Sequence, residues 1–269
     1  MIRAGVIGSP VAHSLSPLIH NAWLRAAGID GRYEAYEPKS GLADVLGGVL
    51  KDWKGFNVTI PFKIDALALV DRVSARARAA GAANLVWRGD GEVHADNTDG
   101  VGLLAAFAEQ APGFDPAAGP VVILGAGGAA RGAAAAFLEA GAPAVRIVNR
   151  STDKAEALRL MLGDRVTVSD DFDDANAVIN ATSLGLNGGA GPPIDLARLP
   201  RAAVVMDMVY RPLETQLLAH ARSAGLRVVD GLAMLIGQAR PSFATLFGQD
   251  PPGEVDARSL CLAALGVKP

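Results

Sequence analysis

Short β-branched runs alternate along the chain with helical stretches, and this alternation predicts the secondary structure. Gly5-Val6-Ile7 reads as the end of a first strand, and Pro17 to Ala27 as a helix. Arg32 to Tyr36 alternates polar and apolar residues at the front of a second strand, and Phe56-Asn57-Val58 is a third. Asn84 to Trp87 and Val93 to Ala95 flank the turn-rich Arg88-Gly89-Asp90-Gly91, which predicts a hairpin.

The Pro- and Gly-rich stretch from Pro112 to Pro120 marks a junction. Beyond it the pattern predicts strand Val121–Leu124, helix Gly128–Ala140 and strand Val145–Val148, followed by helix Thr152–Leu162. Further strands fall at Val166–Val168, Val178–Ile179, Val204–Met206 and Val228–Val229. Two helices, Leu232–Phe247 and Val255–Leu265, close the chain, separated by Asp250-Pro251-Pro252-Gly253. Both halves are expected to be α/β, with a parallel sheet and helices on both faces in the second.

At 269 residues and 27.6 kDa the chain is long for one domain, so two are expected. Half the residues are apolar and 20% are charged, which excludes a disordered chain. The net charge of −3 and pI near 5.8 leave no basic stripe for nucleic acid and no polybasic block for a membrane surface. The single cysteine, Cys261, permits no internal disulfide. Glycine interrupts the short apolar run at Met1 to Gly8, which argues against a signal peptide, and no membrane-spanning apolar stretch occurs. A cytoplasmic protein is expected. The four histidines, His13, His20, His94 and His220, show no HExxH spacing and have no cysteine cluster, so no metal is expected. His13 and His20 are expected to serve local packing or hydrogen bonding.

Chemistry enters with Val121 to Ala130, a buried strand running into G-x-G-x-x-A and a helix. Gly125 allows a tight turn, Gly127 lets backbone approach a pyrophosphate, and Ala130 keeps the helix close to the sheet. The free N–H groups and positive dipole of the helix amino terminus suit phosphate. The next strand ends at Asn149-Arg150-Ser151-Thr152, where an NAD site usually carries an acidic residue for the ribose hydroxyls. A guanidinium there pairs instead with a 2′-phosphate, with Ser151, Thr152 and Lys154 adding donors, so NADP is the expected cofactor.

Three polar constellations crowd the first hundred residues. Within Gly8 to Asn21, Ser16-Pro17 reads as an N-cap and first-turn pair, and capping competes with carboxylate binding as the role of Ser14 and Ser16. In Gly55 to Lys63, Lys63 lies just past a strand and a proline-rigidified turn; by itself it is a surface cation or a catalytic group. Asp96-Asn97-Thr98-Asp99-Gly100, by itself, is an Asx-turn with a helix cap or part of a site.

Taken together these segments closely resemble the shikimate dehydrogenase family. The resemblance rests on G-x-P-x-x-H-S-x-S-P-x-x-H-N at Gly8 to Asn21, N-V-T-x-P-x-K at Asn57 to Lys63, Asn84, and Asn97-Thr98-Asp99-Gly100. It continues through Gly125-Ala126-Gly127-Gly128-Ala129, Asn149-Arg150-Ser151, Asn180-Ala181-Thr182-Ser183, Asp207-Met208-Val209-Tyr210, and Gly231-Leu232-Ala233-Met234-Leu235 with Gln238. It implies NADP(H)-dependent, reversible reduction of 3-dehydroshikimate to shikimate, a step of chorismate and aromatic amino acid biosynthesis. Lys63 and Asp99 would form the catalytic acid/base pair. Ser14 and Ser16 would bind the substrate carboxylate, and Thr59, Asn84, Gln238 and Tyr210 would complete the substrate site. Gly125, Ala126, Gly127, Gly128, Ala129, Asn149, Arg150, Ser151, Lys154, Thr182, Met208 and Gly231 would hold the cofactor.

The family fold implies two α/β domains with a cleft between them. Residues 1–101 with 232–269 would form a substrate domain with a mainly parallel sheet, and 102–231 a Rossmann-type domain. A monomer or homodimer is expected, with a small molecule as partner. The family usually has Thr where Leu85 stands and commonly His where Gly237 stands. Two other readings are a quinate/shikimate dehydrogenase using NAD and a non-catalytic NADP-sensing protein. Ser14, Ser16 and Arg150 argue against the first; retention of Lys63 and Asp99 argues against the second.

Overall fold

The first apolar run becomes β1 (Ile2–Ile7), whose last four residues are buried. The computed structural model describes residues 1–39 and 41–267. After β1 come α1 (Ser16–Ala26), β2 (Gly31–Tyr36), α2 (Leu42–Gly47), β3 (Gly55–Val58), β4 (Arg72–Val73), α3 (Ala75–Ala80), β5 (Leu85–Gly89) and β6 (Glu92–Asp96). Their strands form one sheet in the order β2-β1-β3-β5-β6-β4. It is mixed: β1 runs parallel to β2 and β3, and β4 to β6, while β5 is antiparallel to β3 and β6.

The expected hairpin is β5–β6, with Gly89 opposite Glu92 and only Asp90-Gly91 in the loop. Both loop residues have positive φ, 51° and 82°, the conformation a two-residue turn needs to match strand twist. One apolar cluster of this unit contains Ile7, Leu50, Trp53, Phe56, Ala66, Ala77 and Val86. Another group stacks rings from α1, β2 and a helix near the carboxyl terminus: His20, Trp23, Tyr33, Phe243 and Phe247.

The second unit runs α4 (Asp99–Gln110), β7 (Val121–Leu124), α5 (Gly128–Glu139), β8 (Val145–Val148), α6 (Thr152–Leu162), β9 (Val166–Val168), β10 (Ala177–Asn180), β11 (Val204–Asp207), α7 (Gln216–Ser223) and β12 (Arg227–Asp230). Its sheet order is β12-β11-β10-β7-β8-β9, parallel throughout. Numbered within the unit this is 3-2-1-4-5-6, the doubly wound order of dinucleotide-binding sheets, and its direction reverses between β7 and β10. All four residues of β7 are buried, as a strand covered by helices on both faces requires. Fully burying each of its Val, Ile and Leu side chains contributes about 1.5–3 kcal/mol.

The chain ends with α8 (Gly231–Phe247) and α9 (Ala257–Leu265). The chain forms two compact units, residues 1–98 with the stretch from Leu235 onward, and residues 99–234. The short helices α3 and α7 each start from a side-chain cap, Ser74 accepting from Ala77 N and Thr215 accepting from Leu218 N. Among the described residues no helix is long and apolar enough to cross a membrane.

Candidate active site

Strand direction collects the polar motifs of the first unit at one end of its sheet. The carboxyl ends of β1 and β3 lie side by side, with Ile7 paired to Val58, and Thr59 N donating to Ile7 O at 2.9 Å. Because β5 is antiparallel to β3, its amino end reaches the same place, and Val58 N donates to Asn84 O at 2.7 Å. Strand β6 returns there with Asp96 opposite Leu85. Gly8, Thr59, Asn84 and Thr98 therefore lie together at this end of the sheet. Lys63 follows the turn after β3, half-buried, and its carbonyl accepts from Ala83 N at 2.7 Å.

Ser16 is not the N-cap that its sequence suggests. Helix α1 begins at Ser16 itself, Leu15 occupies the capping position, and no side chain caps there. Ser14 Oγ instead accepts from Ser16 N at 3.3 Å, so the upstream serine serves the helix end. The buried Ser16 hydroxyl has no hydrogen-bond partner among the described residues, leaving a polar group available at a positive helix end.

Asn84 and Gln238 meet in a buried network. Asn84 Nδ2 donates to Thr98 Oγ1 at 2.9 Å and to Gln238 Oε1 at 3.2 Å, and Asn84 Oδ1 accepts from Thr98 N at 2.7 Å. Gln238 Nε2 donates to Leu235 O at 3.2 Å. Beneath them, Asn57 Nδ2 donates to Ser242 Oγ at 2.8 Å, and Tyr33 Oη donates to Asn57 Oδ1 at 2.7 Å. The network explains how a strand start and a helix some 150 residues later hold two amides in fixed orientation, since burial makes each unmade hydrogen bond costly. Tyr33, Asn57, Thr98 and Ser242 were not legible as its members; only the polar density around Asn57 and Thr98 hinted at them. Of the two family departures, Leu85 is fully buried in β5, and Gly237 lies in α8 four residues before Pro241.

Asp99, 4% exposed, is the first residue of α4. Nearby in sequence, Asp96 is bound by Arg76 and accepts from Ser74 Oγ at 2.6 Å and Asn97 N at 2.7 Å. Burial raises its pKa, but these donors outweigh that effect and hold the carboxyl below its usual value.

His13 is exposed, whereas His20 is fully buried with its ring stacked on Tyr33 at 4.0 Å and both nitrogens unpartnered. Burial pushes its pKa down to about 3. Between about pH 6.5 and that value the unfolded imidazole binds a proton that the folded one does not, so stability falls as pH falls. Acidifying from pH 7 to 5 is expected to cost about 2 kcal/mol through this group, read by urea unfolding. His20→Phe should remove most of that loss; an unchanged loss would refute the assignment.

In the second unit, β7 runs into the glycine turn. Gly125 has φ +113°, and a Cβ there would sit 3.2 Å from Ala181 O and Thr182 Cγ2, so glycine is required at the switch point. A Cβ on Gly127 would meet nothing within 4 Å, leaving open space before α5. No side chain caps α5, so the amides at Gly128 and Ala129 face that space with the helix dipole behind them. A pyrophosphate fits this cradle. Beyond β8, Asn149 Nδ2 donates to Ser151 O at 2.8 Å, Lys154 is exposed, and exposed Arg150 has no ion pair or hydrogen bond among the described residues. An uncommitted guanidinium at this strand end suits a 2′-phosphate.

On the opposite side of the switch point, Thr182 Oγ1 donates to Asn180 Oδ1 at 2.6 Å, following β10. Met208 and Tyr210 are half-buried after β11, and Gly231 opens α8 so close to Met208 O that a side chain has no room. The buried Asp207, which ties these segments together, was legible only as part of a motif. Among the described residues no group of three or more His, Cys, Asp or Glu could hold a metal ion.

Residues 6–86 match the family described as shikimate dehydrogenase substrate binding domain, and 108–185 that described as shikimate / quinate 5-dehydrogenase. The chain is 53% identical to a shikimate dehydrogenase (NADP(+)) of Caulobacter vibrioides, covering 98% of this chain and 96% of that protein. Among solved structures, the shikimate 5-dehydrogenase of Thermus thermophilus in complex with NADP(H) and shikimate is 38% identical, with TM-score 0.86 and 98% of each chain covered. The quinate dehydrogenase of Corynebacterium glutamicum in complex with NAD is 29% identical, with TM-score 0.87 and 99% of each chain covered.

Proposed function

The chain belongs to the shikimate dehydrogenase family, and from that premise we infer that it is an NADP-dependent shikimate dehydrogenase interconverting 3-dehydroshikimate and shikimate. The observation that carries this reading is the gathering of Thr59, Asn84, Thr98 and Gln238 at the end of the first sheet, in the segment order that leads to Lys63 and Asp99. Residues 1–101 with 232–269 serve the substrate and 102–231 the cofactor.

When bound, NADP(H) would supply the hydride chemistry at the carbon that carries the reacting hydroxyl, in either direction. Lys63 takes the hydroxyl proton as the carbonyl forms and gives it back on reduction. Asp99 orients Lys63 and that hydroxyl. Ser14 and Ser16 bind the substrate carboxylate, with the available Ser16 hydroxyl and the amino end of α1 supplying donors. Thr59, Asn84, Gln238 and Tyr210 fix the ring hydroxyls, so that orientation rather than new bonding lowers the barrier. Gly125, Ala126, Gly127, Gly128 and Ala129 cradle the pyrophosphate; Asn149, Arg150, Ser151 and Lys154 hold the 2′-phosphate. Thr182, Met208 and Gly231 line the nicotinamide end.

The test is absorbance gain at about 340 nm on mixing the protein with shikimate or quinate and NADP⁺ or NAD⁺. Shikimate with NADP⁺ is expected to give the highest kcat/KM. Preference for quinate with NAD⁺ would support the quinate reading, and binding of NADP⁺ with no turnover of either acid would support a sensor.

A further inference from the structure

The buried Asp207 carboxylate has a chemical setting that the reaction as described does not use. It ends β11 and is fully buried. Its Oδ1 accepts from Asn180 Nδ2 at 2.9 Å and Val209 N at 3.0 Å, and its Oδ2 accepts from Thr215 Oγ1 at 2.7 Å. Thr215 Oγ1 also accepts from Leu218 N at 3.3 Å. Three donors converge on the carboxyl group, and two of them, the Asn180 amide nitrogen and the Val209 backbone N–H, can only donate, which favours the ionised form. Burial pushes its pKa up, opposed by these three hydrogen bonds. No Lys, Arg or His among the described residues forms an ion pair with it. A buried charge with no counter-charge is destabilising, and proteins rarely retain one without use.

Its place in the sheet suggests the use. In a doubly wound sheet the dinucleotide lies across the carboxyl ends of the strands, on both sides of the switch point. Arg150, after β8, marks one side as the 2′-phosphate end. The nicotinamide end then falls toward β10 and β11, where Asn180 and Asp207 are the final residues. The two cofactor states differ there by one charge: the ring is cationic in NADP⁺ and neutral in NADPH, while the phosphates are the same.

We propose that Asp207 is a specificity-determining residue for cofactor redox state, its fixed negative charge favouring the cationic ring of NADP⁺ over the neutral ring of NADPH. The inference rests on the cofactor reading above. At a separation of about 10 Å and an effective dielectric constant of about 20, a unit charge changes affinity by roughly tenfold. A purely structural carboxylate would instead affect both forms alike, since it holds the same loops around each.

Separate calorimetric titrations of NADP⁺ and NADPH into the wild type and Asp207→Asn decide the matter. Asparagine keeps the shape, and its amide can donate to Thr215 Oγ1 while its oxygen accepts from Asn180 and Val209. Affinity for NADP⁺ is expected to fall about tenfold, with NADPH affinity nearly unchanged. Equal loss for both forms, or no loss, overturns the proposal. Should Asp207→Asn not fold, Leu184→Lys replaces it: Leu184 is exposed, and its carbonyl accepts from Asn180 Nδ2 at 3.0 Å. At an ionic strength of about 10 mM, where screening is weak, that cation should lower the NADP⁺-to-NADPH affinity ratio at least about threefold. An unchanged ratio overturns the proposal. Failure of the wild type to bind either nucleotide would overturn the functional reading itself, an outcome distinct from these.

Discussion

Lys63→Ala is expected to lower shikimate turnover by about 10²–10⁴-fold while the dissociation constant for NADP⁺ stays unchanged. The split follows from where the lysine sits. It belongs to the first unit, after β3, with its backbone anchored by Ala83 N, whereas the glycine cradle and Arg150 belong to the second. Alanine keeps the anchoring carbonyl and removes only the amine. Lys63→Arg makes the test sharper, because a guanidinium keeps the charge but does not release a proton in a protein. If the amine exchanges the hydroxyl proton, arginine rescues little of kcat; if it only attracts the substrate, arginine restores much of it. Steady-state absorbance assays give kcat and KM, and calorimetry gives NADP⁺ affinity. Parallel loss of binding and turnover, or no kinetic loss, would reject the role.

Arg150→Ala should raise KM for NADP⁺ by about ten- to a hundredfold and leave NAD⁺ kinetics where they are. The size is that of one charge-assisted hydrogen bond, about 1.5–3 kcal/mol. Arg150 is exposed and makes no intramolecular ion pair among the described residues, so its removal takes nothing from the folded chain but affinity for a 2′-phosphate. NAD⁺ lacks that phosphate and serves as the internal control. A matching fall with both nucleotides would place Arg150 elsewhere in the mechanism and weaken the assignment of NADP.

Where local spacing carries the information, the elements were legible. Strand β7 and the glycine turn follow from an apolar run that ends in residues tolerating φ +113° and an open approach. The β5–β6 turn follows from Asp90-Gly91, a pair that accepts positive φ. Helix starts were less secure. Ser16 reads as a cap because a serine precedes a proline, yet the chain begins its helical turn there and uses Ser14 instead. The difference is one of backbone angles, which neighbouring contacts decide.

The candidate site divides in the same way. The residue types around Lys63, Asp99 and the glycine turn, and Asn149-Arg150 in place of an acidic residue at the end of β8, can be read along the chain because each is a short motif. The partners that orient Asn84 and Gln238 cannot, nor can the donors around Asp207: Thr98 reaches Gln238 across 140 residues, and Asn180 reaches Asp207 across 27.

From residue order alone came the α/β class, the nucleotide-binding turn and the chemistry on offer, because periodicity, turn propensity and charge act over a few neighbouring residues. Only the folded chain decided which hydroxyls serve helix ends, which amides are locked by buried partners, and that the buried Asp207 forms no ion pair among the described residues. Those outcomes depend on desolvation and hydrogen bonding between distant segments, and neither exists until the strands have paired and water has been excluded.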